Sequence, residues 1–400
     1  MTYDNSRREV LGWMGSGALA FGAGAGLLGL QGCGKNAKTL RLFGTGTLDI
    51  GKENWSEATR ALGVNIDFQD NKNDVGPVLA QMINGTAADS YDLGGVQGGA
   101  EPEMFRSKVI QPWDLSKITN WQNMWDWMKE IPYLNVSGQQ IGIPLAANAD
   151  SMIYLEKEAG VVDSYAAVFD PKLKGRTSME DSWMNSVIFT AIHMKANNID
   201  QMGKIADPGN LTEDELGTVL EFLKRHKRNG QFLKFWSGWT EGRDLIINRQ
   251  VAVMTGWEPI YYAARDHGVS DVGYANPVEG YEGWSNNLVL HRGAGSHDNV
   301  EVAHRFANWL LDGWYGCVLG ALRGYVVPTE RSVQRIAQGP ITYHNPEKSQ
   351  QATITADDIT KLVPRVRNKF LQQKGRVYWQ NARPTLYQQY ERGWAELRAL

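Results

Sequence analysis

The chain has 400 residues, 42% hydrophobic and 21% charged, a composition that excludes both a disordered chain and a polytopic membrane protein. Its formal net charge of -3 gives no electrostatic attraction for nucleic acid. Its two cysteines, Cys33 and Cys317, form no CxxC or Cys/His set, so iron–sulfur, c-type haem and structural zinc sites are excluded and no cofactor or metal is expected.

The first elements are N-terminal. Ser6-Arg7-Arg8-Glu9-Val10-Leu11 resembles the twin-arginine export motif, and a weakly apolar, Gly/Ala-rich stretch follows from Gly17 to Leu30. That stretch is shorter than the roughly 20 residues a membrane span needs. A charged start, a short apolar middle and a small-residue end make residues 1–32 a signal peptide, outside the fold. Leu30-Gln31-Gly32-Cys33 resembles a bacterial lipobox, which implies that Cys33 is lipidated, becomes the new N-terminus and begins a tether over 33–38. The expected location is the periplasm or the outer face of the cell membrane, reached by the twin-arginine route. Cys317 then has no partner, and its apolar setting, Gly316-Cys317-Val318-Leu319, predicts a buried, inert thiol.

A β/α rhythm follows. Thr39–Phe43 alternates like a strand and runs into Gly44-Thr45-Gly46-Thr47; Trp55, Ala58 and Leu62 lie at helical spacing; Val64–Phe68 reads as the next strand. Val78, Leu79, Met82 and Ile83 form a second helical stripe, and Asp92–Val96 reads as a buried strand ending in Gln97-Gly98-Gly99. Strands alternating with helices predict a largely parallel sheet covered on both faces, with ligands beyond the carboxyl ends of its strands. Farther on, Thr212-Glu213-Asp214-Glu215 is a capping box for a helix that aligns Leu216, Val219, Leu220 and Leu223. Val251–Thr255 reads as a strand, and Val302, Phe306, Trp309 and Leu310 mark an amphipathic helix. Pro384 is placed to start a last helix carrying Leu386, Tyr390, Trp394 and Leu397.

Catalytic signatures are missing: there is no GxSxG, HExxH or GxxxxGK[ST], and Gly44-Thr45-Gly46 lacks the third glycine of a dinucleotide cradle. The seven histidines are scattered, with no metal pair at helical spacing. The reading is therefore a non-enzyme. A secreted hydrolase or lyase stays open, because catalytic residues can converge from distant positions.

Several stretches resemble the spermidine/putrescine-type family of periplasmic solute-binding proteins of ABC importers. They are Tyr91-Asp92-Leu93 with its small-residue loop; Tyr165 to Arg176, similar to "W-x-D-L-W-x-P-x-Y-K-G-K"; Gly283 to Leu290 followed by Gly293-Ala294 and a helix to Asp312; Gly324-Tyr325-Val326-Val327-Pro328-Thr329; and Trp379-Gln380-Asn381. They occur in the family's order across most of 39–400. The resemblance implies an α/β, two-lobed periplasmic-binding fold, each lobe a β/α sandwich, closing by hinge motion over a solute in the cleft. It places lobe one at 39–147 and 285–335, and lobe two at 148–284 and 336–400. It implies a monomeric receptor handing a small molecule to a membrane permease.

Carried over residue by residue, Trp257 and Trp284 fall on tryptophans that pack on the ligand, Gln380 on a binding glutamine and Asp181 on an ammonium-binding carboxylate. The second carboxylate of that segment falls on Met184, and the aspartate two residues after the cleft tryptophan becomes Asn286. The loop aromatics fall on Thr45 and Gly99; Thr45 and Gln97 are kept as strand-end candidates. Trp183, with Trp236 and Trp239, is a candidate wall of an aromatic cage, and Glu258 or Asp150 a candidate source of negative charge. The expected ligand is a small organic amine or cation: polyamine-like, quaternary ammonium or zwitterionic. A sugar stacked on the tryptophans is the alternative.

Overall fold

The alternation read in Thr39–Phe43 becomes the strand Lys38–Gly44 of a computed structural model that describes residues 38–72, 75–346, 348–372 and 376–400. Arg7, Arg8, Cys33 and the tether to residue 37 lie outside the described residues. Lys38–Gly44 pairs in parallel with Val64–Asp70 on one side and Leu93–Gln97 on the other. Helix Lys52–Leu62 makes the crossover and ends on Gly63, whose φ of 66° gives the left-handed cap that glycine adopts without a Cβ clash.

The sheet is mixed rather than largely parallel. Eleven strands join, and the main order is Val64–Asp70, Lys38–Gly44, Leu93–Gln97, Tyr281–His291, Ile143–Leu155, Val253–Gly256, Thr177–Glu180, Phe232–Trp236. Parallel pairs occupy both ends, where helices make the crossovers. The middle is antiparallel because two long strands, Ile143–Leu155 and Tyr281–His291, run through both halves in opposite directions. All 24 residues of these two strands are buried, so periodicity alone gave no clue to their length.

Strand alternation divides the core. Leu40, Leu42, Leu288 and Leu290 face one cluster, while Phe43 and Val289 face another on the opposite side of the same sheet half. In the other half, Met152, Tyr154 and Val253 face a third cluster, and Ile153, Leu155 and Met254 a fourth. Each half is thus a sheet covered on both faces, giving two β/α lobes. Full burial of a side chain such as Phe306 contributes about 1.5–3 kcal/mol.

The expected helices form, with one correction. Thr212 and Glu215 make the reciprocal capping box of helix Glu213–Arg228, and Val300–Leu310 buries Val302, Phe306, Trp309 and Leu310. The last helix is Tyr387–Ala399 and does not begin at Pro384; the Pro384 carbonyl instead accepts from the Tyr387 N–H at 3.1 Å. Within residues 336–400 the apolar packing is divided between two cores. Ile341, Ile354, Ile359, Leu362, Val363, Val366 and Phe370 pack into the first core, whereas Tyr378, Leu386, Tyr390, Trp394 and Leu397 pack on the core of the second lobe. The reason is the apolar face of helix Ala356–Gln372, which fits the first core. Cys317 is fully buried, its thiol donates to the Ser332 carbonyl, and burial pushes it up to about 12. Among the described residues, no helix is long and apolar enough to cross a membrane.

Candidate functional site

The two long strands cross between the lobes, and their register builds the site. Asp150 lies opposite Glu282, Asn148 opposite Trp284 and Ala146 opposite Asn286. Directly opposed residues share a face, so Asp150, Asn148, Glu282, Trp284 and Asn286 all present to one side of the sheet. Opposed carboxyls repel when both are charged. Burial pushes Asp150 up to about 7, against the opposing pull of Lys369 and of the Trp284 indole, whose Nε1 donates to Asp150 Oδ2 at 2.8 Å. Burial, reinforced by Asp150 and Glu180, raises Glu282 well above the ordinary range. Trp284 is buried and meets the Tyr325 ring edge-on at 4.8 Å.

A hydrogen-bonded chain leads from Glu282 across both lobes. Gln380 donates from Nε2 to Glu282 Oε1 at 2.8 Å and to Asn185, and its Oε1 accepts from Gln97 Nε2 at 2.8 Å. Asn185, in the first turn of helix Trp183–Ala196, donates onward to Glu180 Oε2. Glu180 ends its strand and accepts from Trp257 Nε1 at 3.1 Å; burial pushes this carboxyl also up to about 7. Trp257 in turn stands edge-on to Trp236 with ring centres 5.0 Å apart. Glu282 Oε2 and Asn286 Oδ1 are buried acceptors with no hydrogen-bond partner, each costing about 1–3 kcal/mol unless a donor reaches it.

A third group closes the far side. Glu258, at the start of helix Glu258–Asp266, takes Lys369 Nζ at 2.8 Å and Asn148 Nδ2 at 3.2 Å on Oε2, and lies 3.0 Å from Arg365 Nε through Oε1. Lys369 and Arg365 hold Glu258 below its usual range despite burial. Four carboxyls (Asp150, Glu180, Glu258 and Glu282) thus meet two cations, both on Glu258. Among the described residues, no group of three or more His, Cys, Asp or Glu is arranged to hold a metal ion.

The sequence candidates divide accordingly. Trp257, Trp284, Gln380, Gln97, Asn286, Glu258 and Asp150 converge on this cluster. Asp181 does not; its Oδ1 accepts from Trp394 Nε1 at 2.9 Å and its Oδ2 lies 3.3 Å from Arg398 Nε, on the last helix. The carboxyl beside Trp257 belongs to the preceding residue, Glu180. Trp183 packs against Tyr387 and Tyr390. Thr45 is buried as the cap of the one-turn helix Gly46–Leu48. Trp236 is a fully buried core residue donating to the Thr255 carbonyl, and Trp239, like Trp257, packs on the same core. Cys33 lies outside the described residues. Glu180, Glu282, Asn148, Asn185, Arg365 and Lys369 escaped sequence reasoning. No local signal marked Glu282, since Tyr281-Glu282-Gly283-Trp284-Ser285-Asn286-Asn287 mixes polar and apolar residues and only the structure shows the whole strand to be buried. A polar groove of 710 Å³ opens nearby between Gly99, Tyr133, Asn381 and Arg383, where Arg383 pairs with Glu103.

A family model described as bacterial extracellular solute-binding protein matches residues 56–338. No curated protein matches the chain. Among solved structures, the chain is similar to the spermidine/putrescine ABC transporter substrate-binding protein PotD of Streptococcus pneumoniae, at 14% identity and a TM-score of 0.64 over 90% of this chain and 99% of that one. It is similar to the PotD lipoprotein of Treponema pallidum, at 15% identity and a TM-score of 0.65 over 91% and 100%. A GABA receptor aligns at 17% identity and a TM-score of 0.61 over 91% and 97%. At these identities the likeness shows the shared two-lobed fold.

Proposed function

The chain belongs to the bacterial extracellular solute-binding protein family, and on that premise we propose that it is the receptor of an ABC importer for a small organic cation. The observation that carries the cation is the charge of the cleft. Asp150, Glu180 and Glu282 are buried together, while the two cations of the cluster are both committed to Glu258. A desolvated carboxylate left unpaired costs several kcal/mol, so without a cation these groups hold protons. A ligand ammonium supplies the missing charge, donates to Glu282 Oε2 and displaces those protons. Trp257 and Trp284 add apolar contact, with about 0.5–2 kcal/mol of cation–π attraction for each ring the charge faces. The polyamines and the GABA named for the similar structures carry the same ammonium chemistry.

In this reading Glu180 takes the place that sequence similarity gives to Asp181. Lobe one comprises about 38–147 and 285–372, lobe two about 148–284 and 376–400, and closure buries the solute between them. The protein works as a monomer, exported by the twin-arginine route and held by lipid on Cys33. The test is a thermal-shift and calorimetry screen of amines, betaines, amino acids and sugars on the purified chain. A hit confined to ligands with an ammonium or quaternary nitrogen is expected; tight binding of a neutral sugar overturns the cation, and steady conversion of the hit to product overturns the receptor.

A further inference from the structure

The ammonium of Lys369 already sits in a site built for an alkylammonium ion. Its three N–H groups are met by Glu258 Oε2 at 2.8 Å, the Ala149 carbonyl at 2.9 Å and Asn148 Oδ1 at 3.1 Å. The Tyr274 ring centre lies 4.7 Å away and that of Tyr281 6.0 Å away. Three acceptors and aromatic faces are what a free primary ammonium needs when it leaves water. Lys369 is only 6% exposed, so the protein has sealed its own charge inside the cleft region.

The placement crosses the lobes. Helix Ala356–Gln372 packs on the first core and delivers Lys369, whereas Glu258 opens a helix packed on the fourth. Arg365, one turn before Lys369, approaches the other oxygen of Glu258 and stacks on Tyr262 at 4.6 Å. Two like cations one helical turn apart therefore hold one carboxylate, so the charge of Glu258 is offset from within the protein. Asn148 is engaged as well, since its Oδ1 accepts from Ala149 N as well as from Lys369.

We propose that Lys369 is a resident cation that determines the charge of the solute: it fills one ammonium site from within the protein, so the cleft accepts one positive centre, at Glu180, Glu282 and Asp150, and excludes a second. This rests on the cationic reading above. Like charges repel across a low-dielectric cleft, and the acceptors around Lys369 are engaged by its own ammonium. A linear diamine meets a positive charge where its second ammonium would go. Replacing Lys369 by alanine removes the three outer methylenes and the ammonium, the volume and charge of n-propylammonium.

The experiment uses the full chain as wild type, K369A and K369Q. Melting temperatures are measured in n-propylammonium chloride, sodium chloride and tetramethylammonium chloride at equal ionic strength. Relative to sodium, n-propylammonium is expected to raise the melting temperature of K369A by about 4 °C more than that of wild type. Tetramethylammonium has no N–H to donate and is expected to give no such difference. Equal shifts for wild type and K369A overturn the proposal. If K369A does not fold, K369Q decides: calorimetry with putrescine and n-propylammonium is expected to show the diamine-to-monoamine affinity ratio rising about tenfold or more over wild type. An unchanged ratio overturns the proposal. Failure of wild type to bind any cation sinks the cationic receptor instead, and the melting comparison still reads the ammonium cage by itself.

Discussion

Glu258→Gln is the sharpest perturbation of the cleft. The glutamate carboxylate accepts from two donors on Oε2, Lys369 and Asn148, and forms an ion pair with Arg365, whose Nε lies 3.0 Å from Oε1. Glutamine keeps one acceptor and turns an N–H₂ toward the other position. Arg365 is about one-third exposed and can turn to water, so the amide faces Arg365 and the remaining oxygen keeps Lys369. The geometry survives, but Lys369, with a side chain 7% exposed, loses its counter-charge. Breaking a buried pair in this way costs 3–5 kcal/mol, and the relief at Arg365 places E258Q near the lower end, about 3 kcal/mol.

Urea unfolding at pH 7 measures that loss as a lower midpoint at unchanged slope. The double variant E258Q/K369M removes the stranded charge as well, and is expected to be more stable than the sum of the two single losses by about 2 kcal/mol. The pH dependence has a fixed sign. Lys369 and Arg365 hold the Glu258 carboxyl below its ordinary 4.5 in the folded protein, so its contribution is present above that value and is lost as pH falls through the lower folded value. The part of the gap between wild type and E258Q that comes from the Glu258 charge should be present above the ordinary carboxyl value and shrink as pH falls through the lowered folded value. A loss under about 1 kcal/mol at pH 7, or a gap that does not shrink in acid, refutes the buried pair.

Cation binding should tighten from pH 6 to 8 and release protons, because Asp150 and Glu180 titrate near 7 in the free protein and a bound cation favours their ionised forms; calorimetry in buffers of different ionisation enthalpy reads the proton count, and proton uptake contradicts the assignment. Glu180→Gln should weaken cation affinity by about tenfold or more, since it removes the charge beside Trp257, whereas Asp181→Asn should change it by less than about threefold and chiefly loosen the last helix; the reverse order restores Asp181 as the binding carboxylate. Cys33→Ser should leave the protein unlipidated and released from membranes on fractionation, and paired lysines at Arg7 and Arg8 should block export; a Cys33→Ser protein that stays membrane-held refutes the anchor.

Much of the scaffold was readable along the chain. The alternation of Thr39–Phe43, the stripe through Trp55 and Ala58, and the Thr212 capping box are local signals, and each became the expected element. The two crossing strands were less legible, because a strand buried on both faces loses its period of two. Pro384 misled because its fixed φ suits a turn before a helix as well as a first helical residue.

The sequence by itself supplied the residue types of the candidate site: tryptophans at 257 and 284, a glutamine at 380, and acids close to each tryptophan. Which acid meets which tryptophan depended on strand phase. A shift of one position along Glu180-Asp181 reverses the side from which a carboxylate emerges, sending Glu180 to Trp257 and Asp181 to Trp394. Only the tertiary structure set Asp150 opposite Glu282 and brought Lys369 to Glu258 across 111 positions of chain, because register and helix docking are global packing outcomes with no local sequence signature.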